Sequence, residues 1–292
     1  MDNRRIAMSI ASMGIGDEFP VRIMGVLNVS PESFYQGSVV AGTDIAERAA
    51  SMIDAGADML DLGARSTAPK SPVIDVDEER NRMRKALRRL LDGWDPGPVL
   101  LSIDTQYRVV AQEAHAALDA RGLADRFVLN DVSCLTADPG LAAWAGEVGC
   151  PVIIMAAHER PGDSLGIEQT LEDLERGIHR LAAVGADRRV IVDPAIGRWT
   201  AEKRAGYDCE IIRGLEHFRR LGRPILAGIS RKSFVGEILD RPDPADRLTG
   251  TLAATAVAVY NGAHVVRTHD VTRETADTIA VASAIRRREP QK

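Results

Sequence analysis

A short apolar run ending in a polar cluster, then roughly a dozen residues of helical pattern, recurs along almost the whole 292-residue chain. No other feature narrows the possible folds as far. The spacing predicts strands over 22–28, 58–62, 99–104, 126–130, 151–155, 189–193, 224–229 and 264–269. Helices are expected over 44–55, 77–91, 107–118, 139–148, 167–183, 207–221, 244–260 and 272–285. The strands read as nearly continuous apolar runs with little alternation, as parallel strands do when both faces are covered. Strand–helix alternation of this number and length matches a single-domain α/β chain forming a (β/α)8 TIM barrel, with a doubly wound open sheet as the runner-up. No Pro/Gly/Ser-rich linker divides the chain, so the barrel is assigned to 21–292 and a short N-terminal extension, without an assigned role, to 1–20. Gly56, Gly185 and Gly262 each follow a predicted helix, where a left-handed residue ends the turn.

Aromatic residues make up 4% of the chain, so aliphatic side chains and alanine must fill this core. The 37 Lys+Arg and 42 Asp+Glu give a formal charge of −5, which carries no global footprint for nucleic acid. Cys134, Cys150 and Cys209 form no CxxC pair, which argues against a disulfide framework or structural zinc and for a reducing, cytoplasmic compartment. The most apolar stretch, 252–260, falls short of the ~20 residues that span a bilayer. Arg4, Arg5, Asp17 and Glu18 interrupt the first twenty residues, so no signal peptide is expected there.

In a barrel the active site lies where the strands end. Here those ends are Asn28, Asp61, Asp104, Asn130 with Asp131, Met155, Asp193, Ser230 with Arg231 and Lys232, and Arg267 with His269 and Asp270. Taken singly, each has a structural explanation: Asp61 or Asp131 could cap a loop, Asn130 could satisfy neighbouring backbone, and His269 could be a core histidine. Gathered on one rim, they imply a polar ligand. His115, His179 and His217 fall on predicted helices and are expected at the surface.

Seven strings carry these residues in order. Ile23-Met-Gly-Val-Leu-Asn28 leads into Ser30-Pro-Glu-Ser-Phe34, and Gly63-Ala-Arg-Ser-Thr-Ala-Pro69 follows the second strand. Then come Ser102-Ile-Asp-Thr105, Leu129-Asn-Asp131, Asp193-Pro-Ala-Ile-Gly197, Ser230-Arg-Lys-Ser-Phe234 and Arg267-Thr-His-Asp270. Over about residues 21–285 the chain resembles the dihydropteroate synthases, which join a dihydropterin-methyl diphosphate to p-aminobenzoate. The resemblance implies a pterin slot formed by Asp104, Asn130, Met155, Asp193 and Lys232. It implies a diphosphate site at Asn28, Arg267 and His269, with Asn28 also ligating Mg²⁺. The arylamine would meet Ser66, Thr67, Pro69, Lys70, Arg198 and Ser233. The implied partners are these two small molecules and a second copy of the chain, packed through the late helices. The implied catalysis is electrostatic, with Asp104, Asp193, Lys232 and Arg267 acting on a reaction that needs no enzyme nucleophile.

Departures from the family pattern fall on the amine side. Ser33-Phe-Tyr-Gln-Gly-Ser38 has Gln36 where an acid is usual, and Ala68 replaces an arginine between Arg65 and Lys70. Arg198 and Trp199 stand where the family usually offers Phe. These changes leave three competing readings besides p-aminobenzoate condensation. One is a ribosylated arylamine phosphate of methanopterin-type synthesis, met by Lys70, Arg65 or Arg198. Another is a pterin-binding paralogue without turnover. The last is a methyltransferase serving a corrinoid, against which the 230–232 and 267–269 motifs count.

Overall fold

The computed structural model describes residues 5–31, 45–67, 71–92 and 97–286. A two-stranded antiparallel hairpin, β1 (Ala7–Ile10) and β2 (Met13–Gly16), precedes eight parallel strands. These are β3 (Arg22–Asn28), β4 (Met59–Gly63), β5 (Leu100–Asp104), β6 (Phe127–Asp131), β7 (Val152–Met155), β8 (Val190–Asp193), β9 (Leu226–Ala227) and β10 (Val265–Thr268). They pair in the order β8-β7-β6-β5-β4-β3-β10-β9. A parallel bridge between Val192 and Ile225 joins the two ends and closes the barrel. The helices between them are α1 (Ile45–Asp54), α2 (Val76–Leu91), α3 (Arg108–Asp119), α4 (Pro139–Val148), α5 (Gly166–Ala182), α6 (Ala205–Arg213), α7 (Ser233–Leu239), α8 (Leu248–Tyr260) and α9 (Arg273–Arg286).

The period of two along each strand explains how one barrel serves both core and site. Leu60, Leu62, Leu101, Ile103, Leu129, Ile154, Val192 and Val266 pack outward in the large core beneath the helices. The inward residues Met24, Met59, Leu100, Val128, Ile153, Ile191, Leu226 and Val265 form a separate apolar layer. One pleat further on, the inward positions become Val26, Asp61, Ser102, Asn130, Met155, Asp193, Gly228 and Arg267. The lining thus changes from apolar to polar within two residues on five of the eight strands, at Asp61, Ser102, Asn130, Asp193 and Arg267.

The described part of the N-terminal extension, residues 5–20, contributes structure that the sequence did not announce. Ile10 and Ile15 join the inner apolar layer and plug the barrel's N-terminal end. Asp17 accepts hydrogen bonds from Ile6 N, Arg219, Arg286 and His264, which ties the hairpin to late parts of the chain. Burial would raise the Asp17 carboxyl, but hydrogen bonds from His264 and Arg219 hold it far below the carboxylate range. The two-residue turn uses Ala11 at φ 48° and Ser12, so it lacks the Asn-Gly or Asp-Gly signature of a hairpin.

Other differences are local. The helix expected over 207–221 divides at Gly214 into α6 and a 3₁₀ turn, Leu215–Leu221. A Cβ at Gly214 would come within 2.4 Å of Ile167 Cδ1, so close packing favours the glycine that breaks the helix. The helix expected over 244–260 begins with a 3₁₀ turn, Pro244–Arg247, and α7 precedes it unforeseen. His115 is half-buried rather than exposed, with its ring edge-on to Phe127 and Trp144 at 5.2 and 5.9 Å. No helix among the described residues is long and apolar enough to cross a membrane.

Candidate active site

The polar layer opens into a pocket at the C-terminal mouth of the barrel. Asn28, Ser66, Thr67, Asp104, Asn130, Met155, Asp193, Lys232, Arg267 and His269 all line it, together with Arg65, Trp199 and Gly228. All eight barrel strands or their following loops therefore converge on one space. Arg198 and Ser233 are not part of that lining. Arg198 is exposed, 4.0 Å from Glu237, and Ser233 opens α7. Pro69, Lys70, Ala68 and Gln36 lie outside the described residues.

Asp61 organises the base of the pocket. It is fully buried and accepts hydrogen bonds from Arg267 Nε at 2.7 Å and from Asn130 Nδ2 at 3.2 Å. Arg267 Nη2 also reaches Asp104 Oδ2 at 3.1 Å. The loop-cap explanation of Asp61 therefore fails, because its partners are inward side chains of β6 and β10. Asp131, by contrast, does cap its loop, accepting from Ser133 and from Leu135 N. The clue to Asp61 was a carboxylate between Leu60 and Leu62, placed by the period of two on the barrel's inner face.

One guanidinium serves two carboxyl groups in a desolvated place, which disfavours ionising both. Burial and the neighbouring Asp61 raise the Asp104 carboxyl, although Arg267 opposes them. Burial alone would lower Arg267, yet Asp61 and Asp104 hold it above its ordinary value. Across the pocket, burial pushes the Lys232 ammonium down to about 8 against the pull of Asp193. Asp193 is raised by burial, while Lys232 and Ala195 N oppose the shift. Lys232 donates to Ile196 O, and its Nζ stands 5.2 Å from the centre of the Trp199 ring. Gly228 supplies no side chain at its inward position, and a Cβ there would lie 3.8 Å from Lys232 Nζ. The lining thus combines the acceptors Asp104, Asn130 and Asp193 with the cations Lys232 and Arg267.

Arg65 is committed to structure. Its guanidinium bonds Glu79 at 2.5 Å and the carbonyls of Ile74 and Asp75, and it packs over Tyr107. Glu79, fully buried, also accepts from Thr105 Oγ1. This network holds the loop after β4 against α2, and sequence reading did not foresee it.

His269 is 7% exposed and bonds Ser230 Oγ through Nδ1 at 3.0 Å. Burial lowers its pKa to about 3, with Arg267, Lys232, Arg231 and Arg48 adding to the shift. A folded-state pKa below the unfolded value of 6.5 gives stability that is complete above 6.5 and lost as the pH falls toward 3. The ligand-free protein should therefore lose about 2 kcal/mol from this group between pH 6.5 and about pH 5. Thermal melts of wild type and His269→Asn over that range check this. A wild-type acid limb as steep in the variant would contradict it.

The model of the pterin-binding enzyme family matches residues 24–269. A dihydropteroate synthase from Synechocystis sp. is 34% identical over 263 residues, which cover 85% of each chain. A probable bifunctional folylpolyglutamate synthase/dihydropteroate synthase from Haloferax volcanii is 36% identical over 94% of this chain. The chain spans 32% of the length of that protein. Among solved structures, the Xanthomonas albilineans dihydropteroate synthase with 4-aminobenzoic acid superposes with a TM-score of 0.78 at 29% identity, covering 97% and 98% of the two chains.

Proposed function

The chain belongs to the pterin-binding enzyme family, and from that premise we propose the following reaction and division of labour. It is a transferase of dihydropteroate synthase type, condensing (7,8-dihydropterin-6-yl)methyl diphosphate with p-aminobenzoate to give dihydropteroate and diphosphate. The observation that carries the reading is the Asp61–Arg267–Asp104 cluster. Its carboxyl oxygens suit a ring edge rich in N–H donors, and the ionised form of Asp104 suits a cation developing beside it.

Asp104, Asn130 and Asp193 hold the pterin edge, with Met155 on the wall of the slot and Lys232 opposite. Arg267, Asn28 and His269 face the diphosphate. Arg267 Nη1 has no protein partner among the described bonds, so it can offer a donor to a phosphate oxygen while Nε and Nη2 remain on the carboxylates. The methylene C–O bond breaks, diphosphate leaves with the electron pair, and the dihydropterin shares the positive charge. The arylamine nitrogen then forms the new C–N bond and releases a proton. Asp104 and Asp193 stabilise the cation, and Arg267 stabilises the departing anion. Ser66 and Thr67 bound the amine end of the pocket.

Mg²⁺ fits this site as an ion held mainly by substrate. Among the described residues no cluster of three or more His, Cys, Asp or Glu could cage a metal. Among the described residues Asn28 Oδ1 accepts from Ser30 N alone and keeps a lone pair, which is compatible with one amide oxygen, water and diphosphate oxygens. When bound, the ion would add positive charge at the leaving group. The three free thiols support a cytoplasmic setting.

A homodimer through α8 and α9 completes the proposal. Val257, Tyr260, Val281 and Ile285 are 48%, 55%, 60% and 66% exposed along one apolar groove between those helices. Val281→Glu should convert a dimer of twice the chain mass into a monomer by light scattering. A monomeric wild type contradicts the assembly.

The reaction itself is tested by diphosphate release with Mg²⁺ and the pterin diphosphate, in parallel with p-aminobenzoate, with the ribosylated arylamine phosphate and without amine. Turnover requiring p-aminobenzoate is expected. Turnover only with the ribosylated amine, or pterin binding without any turnover, overturns the proposal.

A further inference from the structure

Lys203 is a lysine with 0% exposure, well outside the pocket lining, and the reaction above gives it no part. Its surroundings assign one. After β8 the chain turns through Asp193-Pro-Ala-Ile-Gly197, with Ala195 at φ 58° and Gly197 at φ 125°. Successive backbone groups of this turn are gripped from different sides. Asp193 Oδ1 accepts from Ala195 N at 2.8 Å, and Lys203 Nζ donates to Ala195 O at 2.6 Å. Ile196 O receives Lys232, and Gly197 N donates to Asp208 Oδ1 at 2.6 Å. Lys203 also reaches Gly162 O, at 3.4 Å, in the loop after β7.

The turn is costly to hold. Alanine in the left-handed region is strained, and Gly197 is required because a Cβ would lie 2.6 Å from Lys232 Cδ. Burying an ammonium is costlier still. Asp208 keeps one buried carboxylate oxygen without a hydrogen-bond partner among the described residues, which leaves it as the nearby countercharge. A simple loop anchor needs no buried ammonium. The result of this one is that the Ile196 carbonyl, the next along the turn, receives the Lys232 ammonium.

We infer that Lys203 is a positioning residue for Lys232: by fixing the Ala195 carbonyl it aims the next carbonyl, Ile196 O, which holds the Lys232 ammonium beside Asp193 at the edge of the slot. The inference rests on the proposed pterin site and adds to it a determinant outside the slot. The positive charge of Lys203 also acts on the same pair, lowering both Asp193 and Lys232.

The test is a double-mutant cycle read by calorimetric binding of (7,8-dihydropterin-6-yl)methyl diphosphate to wild type, Lys203→Met, Lys232→Met and the double variant. Lys203→Met should weaken binding about tenfold, the effect of one lost charged hydrogen bond. In the Lys232→Met background the same change should alter binding by less than about twofold, because the group it positions is gone. Multiplying losses, or a Lys203→Met protein within about twofold of wild type, overturn the inference. A general loosening of the loop would produce the multiplying result, so the cycle separates positioning from mere stability. If Lys203→Met does not melt cooperatively, Lys203→Gln takes its place in the cycle with the same criteria. Absence of binding by wild type would instead overturn the pterin site itself.

Discussion

Replacing Arg267 with methionine should lower turnover by about a thousandfold and destabilise the ligand-free fold by about 3 kcal/mol. The two losses have one cause. In the proposed reaction Arg267 is the cation that faces the leaving group, and in the structure it is the countercharge of two carboxylates, at 2.6 Å from Asp61 and 3.1 Å from Asp104. Without it, Asp104 keeps the burial and the Asp61 charge that raise its carboxyl and loses the interaction that opposes them. A carboxyl whose folded pKa lies above the unfolded value costs nothing while both states are protonated. The cost grows as the pH rises from the unfolded value toward the folded one. The variant's deficit should therefore be smallest in acid and grow toward neutrality, the reverse of the wild-type His269 effect. Thermal melts across that range are the measurement. A variant that melts like wild type at neutral pH would show that the cluster is not coupled as described.

Asp61→Asn should weaken pterin binding by up to about a hundredfold while the protein still folds. Asparagine keeps an oxygen for Asn130 but loses the charge that holds Arg267 Nε and Nη2. Arg267 is then left to Asp104 alone, where it would occupy an acceptor that the proposed pterin contact needs. The same substitution removes the second-largest cause of the raised Asp104 carboxyl. The acid limb of pterin binding should move to lower pH even as the plateau affinity falls. A drop in affinity with no movement of that limb would mean that Asp61 acts only as a packing residue.

The barrel was legible because eight strand–helix repeats leave few alternatives, and its rim because charged residues recur where apolar runs stop. What stayed hidden lies between those signals. Asp61 stands among the strand-end residues, but nothing in the sequence pairs it with Arg267, more than two hundred residues away. The hairpin at Ala7–Ile10 and Met13–Gly16 is too short and lacks turn chemistry, so its role as a plug emerges only from the packing of Ile10 and Ile15. Arg65 reads as a free cation in sequence. Its partner Glu79 comes from α2, fourteen residues away, and no local pattern pairs them. Lys203 falls between a predicted strand and a predicted helix, and its complete burial is set by carbonyls of two loops, after β7 and after β8, that no local pattern brings together.

The most direct measurement compares, by calorimetry, binding of the pterin diphosphate with that of the matching hydroxymethyl dihydropterin, in wild type and in Arg267→Met. A pterin slot joined to an anion clamp predicts that wild type binds both, the diphosphate more tightly by at least about tenfold. It also predicts that most of this advantage disappears in the variant. Equal affinities in wild type, or an advantage that survives the loss of Arg267, would contradict the assignment of this rim to a pterin diphosphate.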